Sequence, residues 1–442
     1  MKRCRLPLTL ALGAVLALAV AGCGTAQRGL EANPLATTWS IVSRLASGTT
    51  DEKSSNGKAD TPAGWQAGDR SGSADKPNFL STRGSKIVDA NGKEVKITGV
   101  NWFGLETGTF APHGLWSRNW EEMLDQIAEL GFNTIRLPYS NQALDPSSKV
   151  GEGVDFKINP DLQGLTGLEV MDKIVEGAGK RGIKVILDRH RPDVNSQSKL
   201  WYTDHLSEDR WIADWVMLAK RYKGNDTVIG ADLHNEPAGD ATWGSGDPRT
   251  DWRMAAEKAG NAIHEVNPDW LIIVEGIEKV GDKDWYWMGG NLSKAGESPV
   301  RLKVPNKLVY SAHDYGPGVY WQGWFKDESF PANMPTVWES HWGYLAKQGI
   351  APVLLGEFGG RSVGSDTEGV WQRSLMDYLK ANGISYTYWS LNPNSGDTGG
   401  ILADDWKSVN DSKMSVLSNY QDKMMRVARP TQMDLTAAPK AK

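Results

Sequence analysis

The chain has 442 residues, 40% hydrophobic and 23% charged, which allows one large folded domain or two ordinary ones. Its net charge of −5, with 49 basic residues forming no obvious run, argues against a nucleic-acid partner. Both cysteines, Cys4 and Cys23, lie in the N-terminal leader, so no disulfide or thiolate metal site is expected in the mature domain.

The leader reads "MKRCRLPLTLALGAVLALAVAGC". Lys2, Arg3 and Arg5 precede an apolar stretch from Leu6 to Val20, which is shorter than the ~20 residues that span a bilayer. This is the pattern of an export signal over residues 1–22. "VAGC" resembles a bacterial lipobox with Cys23 as the acylated first residue, while "AVA" at Ala19 to Ala21 also suits ordinary signal cleavage. Residues 23–77 are rich in Ser, Gly, Ala, Thr, Asp and Lys and poor in apolar residues, so they are expected to form a flexible tether or pro-segment. Residues 78–427 are expected to be one catalytic domain and 428–442 a frayed tail. The protein is expected to be exported, with the outer-membrane surface reached only through a lipid anchor, and to be a monomer.

Within the domain one unit recurs: a Gly or Asn ends a helix-like segment, a short apolar run follows, and polar or aromatic residues close it. The eight instances are "KEVKITGVNWFG", "GFNTIRLPYS", "GIKVILDRHRPD", "VIGADLHNEP", "WLIIVEG", "KLVYSAHDYG", "APVLLGEFGG" and "ISYTYWSLNP". Amphipathic stretches such as "NWEEMLDQIAELG" separate most of them, and glycine at C′ is expected to stop each helix. Strands buried on both faces read as continuous apolar runs. The pattern predicts an α/β fold, a (β/α)8 TIM barrel. A doubly wound sheet is the alternative, weakened by the lack of a Gly-rich phosphate loop after the first strand.

Barrel chemistry sits at the C-terminal strand ends. Those ends carry Asn101, Arg136, His190, Asn235, Glu236, Glu275, His313, Tyr315, Glu357 and Trp389. Glu236 closes the fourth strand and Glu357 the seventh. Two carboxylates across one mouth suit glycoside hydrolysis, in which one protonates the leaving oxygen and the other meets the anomeric carbon. Either glutamate alone would more often be a helix-entry or salt-bridge residue. Arg136 could hold a nucleophile ionised, whereas an acid needs a raised pKa. Tyr315 could donate to the nucleophile, and Asn235 to a sugar 2-hydroxyl. His190 and His313 could orient hydroxyls and carboxylates, and His234 should point away from the mouth by strand alternation.

"DLHNEP", "LGEFGG", "LDRHRPD", "IRLPYS", "HDYGPGVY" and "YWSLNPNSGDTGG" together resemble glycoside hydrolase family 5, in the branch of bacterial cellulases. The resemblance runs from about Lys93 to Asp405 and implies a retaining enzyme on the barrel fold. It implies Glu236 as acid/base and Glu357 as nucleophile, with Arg136, His190, Asn235, His313, Tyr315 and Trp389 as the remaining active-site residues.

The chain holds twenty tryptophans, and Trp offers a flat apolar face with one polar edge. Trp389 is expected to floor the sugar being cleaved. His113 and Trp116 in "HGLWSRNW", Trp243 in "ATWG", and Trp321 and Trp324 in "YWQGW" are expected in loops on the same face, lining a groove for a β-1,4-glucan. Trp102, Trp120, Trp215 and Trp252 are expected in the core. Long loops after strands one, four and six favour an open cleft and internal cutting. The expected activity is an endo-β-1,4-glucanase needing no cofactor and no metal. Mannanase and xyloglucanase are rivals with the same chemistry. A metal-dependent barrel hydrolase is disfavoured by the lack of H-E-x-x-H, and a non-catalytic polysaccharide-binding lipoprotein by the paired glutamates.

Overall fold

The computed structural model describes residues 77–425 and 427–428. The expected signal segment, Cys23, nearly all of the tether and the tail beyond Ala428 lie outside the described residues.

Eight parallel strands close into a barrel: β1 (Thr98–Asn101), β2 (Thr134–Ser140), β3 (Lys184–Arg191), β4 (Val228–Asp232), β5 (Leu271–Glu275), β6 (Leu308–His313), β7 (Val353–Glu357) and β8 (Ser385–Tyr388). These are the eight runs predicted from the sequence. The ring closes where β8 pairs with β1, Tyr386 opposite Thr98. Period-two alternation decides what each strand offers to the inside. In β5, Ile272 and Val274 face the outer hydrophobic layer, Leu271 and Ile273 join the inner core, and Glu275 ends on the inner side. Ile186, Ile229, Val309 and Leu354 fill the same inner core. Leu80 and Ile87 pack onto it from an antiparallel three-stranded sheet (Ser81–Arg83, Lys86–Val88, Glu94–Val95). With one end filled by apolar side chains, the polar residues gather at the strand C-termini.

Helices α1 (Trp120–Glu129), α2 (Gly167–Lys180), α3 (Glu208–Arg221) and α4 (Trp252–Val266) join the first five strands. Each starts on a side chain that accepts from first-turn N–H groups: Asn119, Thr166, Ser207 and Asp251. The expected glycine stop follows α1, where Gly131 has φ 82°, but α4 ends on Asn267 instead. No helix stands between β5 and β6; a small hairpin, Lys279–Val280 with Asp284–Trp285, takes its place. The β6–β7 connection is a broken helix, α5 (Met334–Trp338) and α6 (Tyr344–Lys347), interrupted by a π-turn at Glu339–Gly343. Helix α7 (Thr367–Asn382) leads to β8, and α8 (Asp411–Leu417) follows it. Among the described residues no helix is long and apolar enough to cross a membrane.

Candidate active site

The inner-facing residues at the strand ends meet around one arginine. Arg136 is fully buried. Its Nε donates to Asp232 at 2.8 Å, Nη1 to Glu357 at 2.6 Å and Asn101 at 3.0 Å, and Nη2 to Asn235 and Glu275 at 3.0 Å each. Asp188 lies 3.1 Å from Nη1. A planar fork with five donors can serve so many acceptors at once, where an ammonium could not.

Glu357 is held from two sides: Oε1 by Arg136 and Oε2 by the Tyr315 hydroxyl at 2.6 Å. Burial and the neighbouring Glu357 and Glu236 charges push Tyr315 far above the ordinary phenol value, so it stays a donor. Glu236 is bound differently. Gln197 Nε2 donates to its Oε2 at 2.6 Å, and His313 Nδ1 lies 3.1 Å from its Oε1. Its backbone has φ 52°, a left-handed conformation costing a non-glycine residue about 1–2 kcal/mol, and its N–H donates to Glu275 at 2.8 Å. Gly289 passes so close that a Cβ there would stand 2.4 Å from the Glu275 carboxylate. One oxygen of Glu236 and one of Glu357 lie within 4.8 Å of each other.

Five carboxylates therefore face two cations, Arg136 and His313. Burial pushes His313 down, but Glu275, Glu357 and Glu236 together hold it well above the ordinary histidine value, so it is an imidazolium. Burial likewise pushes Glu236 up, yet the hydrogen bond and charge of His313, with the Gln197 amide, leave it below the usual glutamate range. This differs from the raised value expected of an acid from sequence, and the charged His313 is the reason. Asp188 is pushed up to about 6 by burial against the pull of Arg136. It accepts from His190 Nδ1 at 2.6 Å, and burial lowers His190 to about 4, leaving it neutral. Asp188, Asp232 and Glu275 bring oxygens close enough together to hold a cation, as do the groups Asp188–His190–Glu357 and Glu236–His313–Glu357. The Arg136 guanidinium already supplies the positive charge among Asp188, Asp232, Glu275 and Glu357.

An aromatic row leads to this centre. Trp116 packs on His113 at 5.3 Å, His113 on Phe103 at 5.4 Å, Phe103 stacks with Trp389 at 5.2 Å, and Trp389 stacks with His190 at 5.5 Å. Trp389 is fixed further by its indole N–H on Ser395 at 3.1 Å.

With this geometry in place, comparison with known proteins is decisive for the family. The family model described as Cellulase (glycosyl hydrolase family 5) matches residues 88–395. The chain belongs to glycosyl hydrolase family 5. It is 56% identical over 354 residues to an endoglucanase of Paenibacillus polymyxa, covering 79% of this chain and 89% of that protein. It is 46% identical over 337 residues to the major extracellular endoglucanase of Xanthomonas campestris pv. campestris, covering 75% and 69%. Among solved structures, a cellotetraose complex of an endocellulase from Pyrococcus horikoshii superposes with a TM-score of 0.74 at 42% identity, covering 78% of this chain and 99% of that one.

For this family 5 chain the structure gathers Arg136, His190, Asn235, Glu236, His313, Tyr315, Glu357 and Trp389 at one mouth, with His113 and Trp116 along the aromatic row. Trp243 does not join them as a groove platform. It is buried, its indole donates to the Ser298 carbonyl at 2.8 Å, and it packs on Tyr310. Of the "YWQGW" pair, Trp321 is 52% exposed, while Trp324 packs against the core. Trp102, Trp120, Trp215 and Trp252 are buried, and His234 turns outward to Arg189 at 2.7 Å. Sequence reasoning missed Asp188, Asp232, Gln197 and Phe103. Asp188 lies two residues before His190 and shares its face, a signal present in "LDRH"; Gln197 sits in a loop with no local signal.

Proposed function

We propose that the chain is an exported, retaining endo-β-1,4-glucanase that cleaves internal bonds of cellulose and related glucans, with Glu357 as nucleophile and Glu236 as acid/base. The observation that carries the reading is the carboxylate pair, whose nearest ligand-type oxygens stand within 4.8 Å. Retaining enzymes hold the pair about 5–5.5 Å apart, and inverting ones about 6.5–9.5 Å, leaving room for a water. The unequal surroundings support the division of roles: Glu357 is fixed on both oxygens by a guanidinium and a phenol, while Glu236 contacts a proton-bearing imidazole.

In the first step Glu357 attacks the anomeric carbon while Glu236 protonates the departing oxygen. In the second, Glu236 takes a proton from water, which displaces Glu357. Bound sugar covers Glu236 further, adding to the burial that already favours its protonated form, and the His313 Nδ1 proton is the one at hand. Asn235 accepts from Arg136 through its oxygen and keeps Nδ2 buried and unpartnered, a donor suited to a sugar 2-hydroxyl. The endoglucanase names of the relatives and the cellotetraose bound by the Pyrococcus enzyme support a β-glucan substrate, and the extracellular Xanthomonas relative supports export. Cys23 acylation would add a surface anchor.

The test is viscosity and reducing-end release recorded together on carboxymethylcellulose, mannan and xyloglucan, for wild type, Glu236→Gln and Glu357→Gln. A rapid viscosity fall on carboxymethylcellulose, reduced about 10²–10⁴-fold in Glu236→Gln and abolished in Glu357→Gln, is expected. Preference for mannan or xyloglucan would overturn the substrate, and activity retained by both variants would overturn the site.

A further inference from the structure

Glu275 closes β5 beneath the mouth, fully buried, and its two oxygens meet donors only. Oε2 accepts the Glu236 backbone N–H at 2.8 Å, and Oε1 accepts Arg136 Nη2 at 3.0 Å. Oε1 also lies 3.3 Å from Nε2 of His313, an ion-pair contact; that buried nitrogen makes no hydrogen bond elsewhere. The opposite nitrogen of the same ring, Nδ1, faces Glu236 at 3.1 Å. Glu275, His313 and Glu236 thus form a line from the barrel interior to the scissile bond.

We propose that Glu275 is a positioning residue for the reaction, holding the His313 ring by its inner nitrogen so that the outer nitrogen exchanges a proton with Glu236, and fixing the turn that presents Glu236. This rests on Glu236 being the acid/base. In the resting site the proton lies on His313. Its transfer breaks Nδ1–H, leaves the electron pair on nitrogen and forms O–H on Glu236. The ring becomes neutral and keeps its Nε2 proton toward Glu275. Glu236 then gives the proton to the departing sugar oxygen, and the proton taken from water in the second step restores His313.

Burial raises Glu275 to about 8 despite the opposing charge of His313, with Asp232 on β4 adding to the rise and Arg136 on β2 opposing it. Glu357 on β7 faces His313 Nδ1 at 3.6 Å, and Asp188 on β3 faces Arg136 from the other side. The Asp232 carboxylate also lies within 4.8 Å, but the three groups in hydrogen-bond or ion-pair contact with Glu275 all donate, so the proton it shares with His313 rests on the ring. A glutamine at this position would turn an N–H toward either the Glu236 amide or the two cations, so it cannot replace the carboxylate.

The experiment compares kcat/KM, which reports the first step, for phenyl and 2,4-dinitrophenyl β-cellobiosides over pH 4–9 in wild type and Glu275→Gln, with thermal melts alongside. The variant is expected to lose about 100-fold on the phenyl substrate and far less on the dinitrophenyl one, whose leaving group needs no proton. Its alkaline limb should move down by about 1–3 units, because the anion that held the His313 proton is gone. An unmoved limb, or equal loss on both substrates, overturns the proposal. Should the variant not fold, ¹⁵N NMR of histidine-labelled wild type decides: His313 protonated on both nitrogens at pH 7 is expected, and a neutral ring overturns it. Azide rescue of Glu236→Gln on the dinitrophenyl substrate is the separate control. Its failure removes the acid/base reading itself, whereas an unmoved limb with rescue intact overturns Glu275 alone.

Discussion

Tyr315 and Arg136 divide the two oxygens of Glu357 between them. Removing one preorganised donor from a buried oxyanion costs about 10²–10³ in kcat. Tyr315→Phe is therefore expected to lose about that much while folding normally. Steady-state kinetics would show it; a wild-type kcat in the variant would mean that the phenol does not support the reaction. At this scale the carboxylate pair proposed to react was legible in the sequence because Glu236 and Glu357 both follow buried apolar runs whose outer ends meet at one barrel mouth. The charge balance around them was not. It depends on His313 lying between three carboxylates, Glu236 in the turn after β4, Glu275 at the end of β5 and Glu357 at the end of β7, an arrangement that only ring closure creates.

The alternation that sends Arg136, Glu275 and His313 inward also explains why eight strands could be read from the sequence. Loops obey no such rule. Trp243 and Trp116 both read as loop tryptophans, yet Trp243 finds a backbone acceptor and a tyrosine to pack on, while Trp116 is 38% exposed at the end of the aromatic row. The row continues through His113 and Phe103 to Trp389. The β5–β6 segment lacks periodicity of either kind, and there a hairpin stands where a helix was expected. If Trp116 holds a sugar remote from the cleaved bond, Trp116→Ala should raise KM for cellohexaose about 2–10-fold with kcat unchanged. It should leave phenyl β-cellobioside, which is too short to reach, unaffected. Equal effects on both substrates would place Trp116 in a structural role instead.

For the molecule as a whole, the buried charges give a pH dependence of stability with a definite sign. His313 keeps its proton well above the ordinary histidine value, and burial holds Asp188 up to about 6 and Asp314 up to about 7. The folded state therefore binds more protons than the unfolded chain, and this contribution is lost as pH rises through the folded values. His113 and His190, lowered to about 4 by burial, act oppositely, but their gain is complete near the unfolded histidine value of about 6.5. From pH 6.5 to 8 the loss is unopposed by them, so Tm is expected to fall across that interval by calorimetry; a rising Tm would show that the cluster is not protonated as described.

The covalent role proposed for Glu357 can be read by incubating the enzyme with 2,4-dinitrophenyl 2-deoxy-2-fluoro-β-cellobioside and mapping the modified peptide by mass spectrometry. The slowed second step should leave one cellobiosyl adduct, on Glu357 in "LLGEFGG". An adduct on Glu236 or elsewhere, or an enzyme that turns over glucan with inversion and never traps, would contradict it.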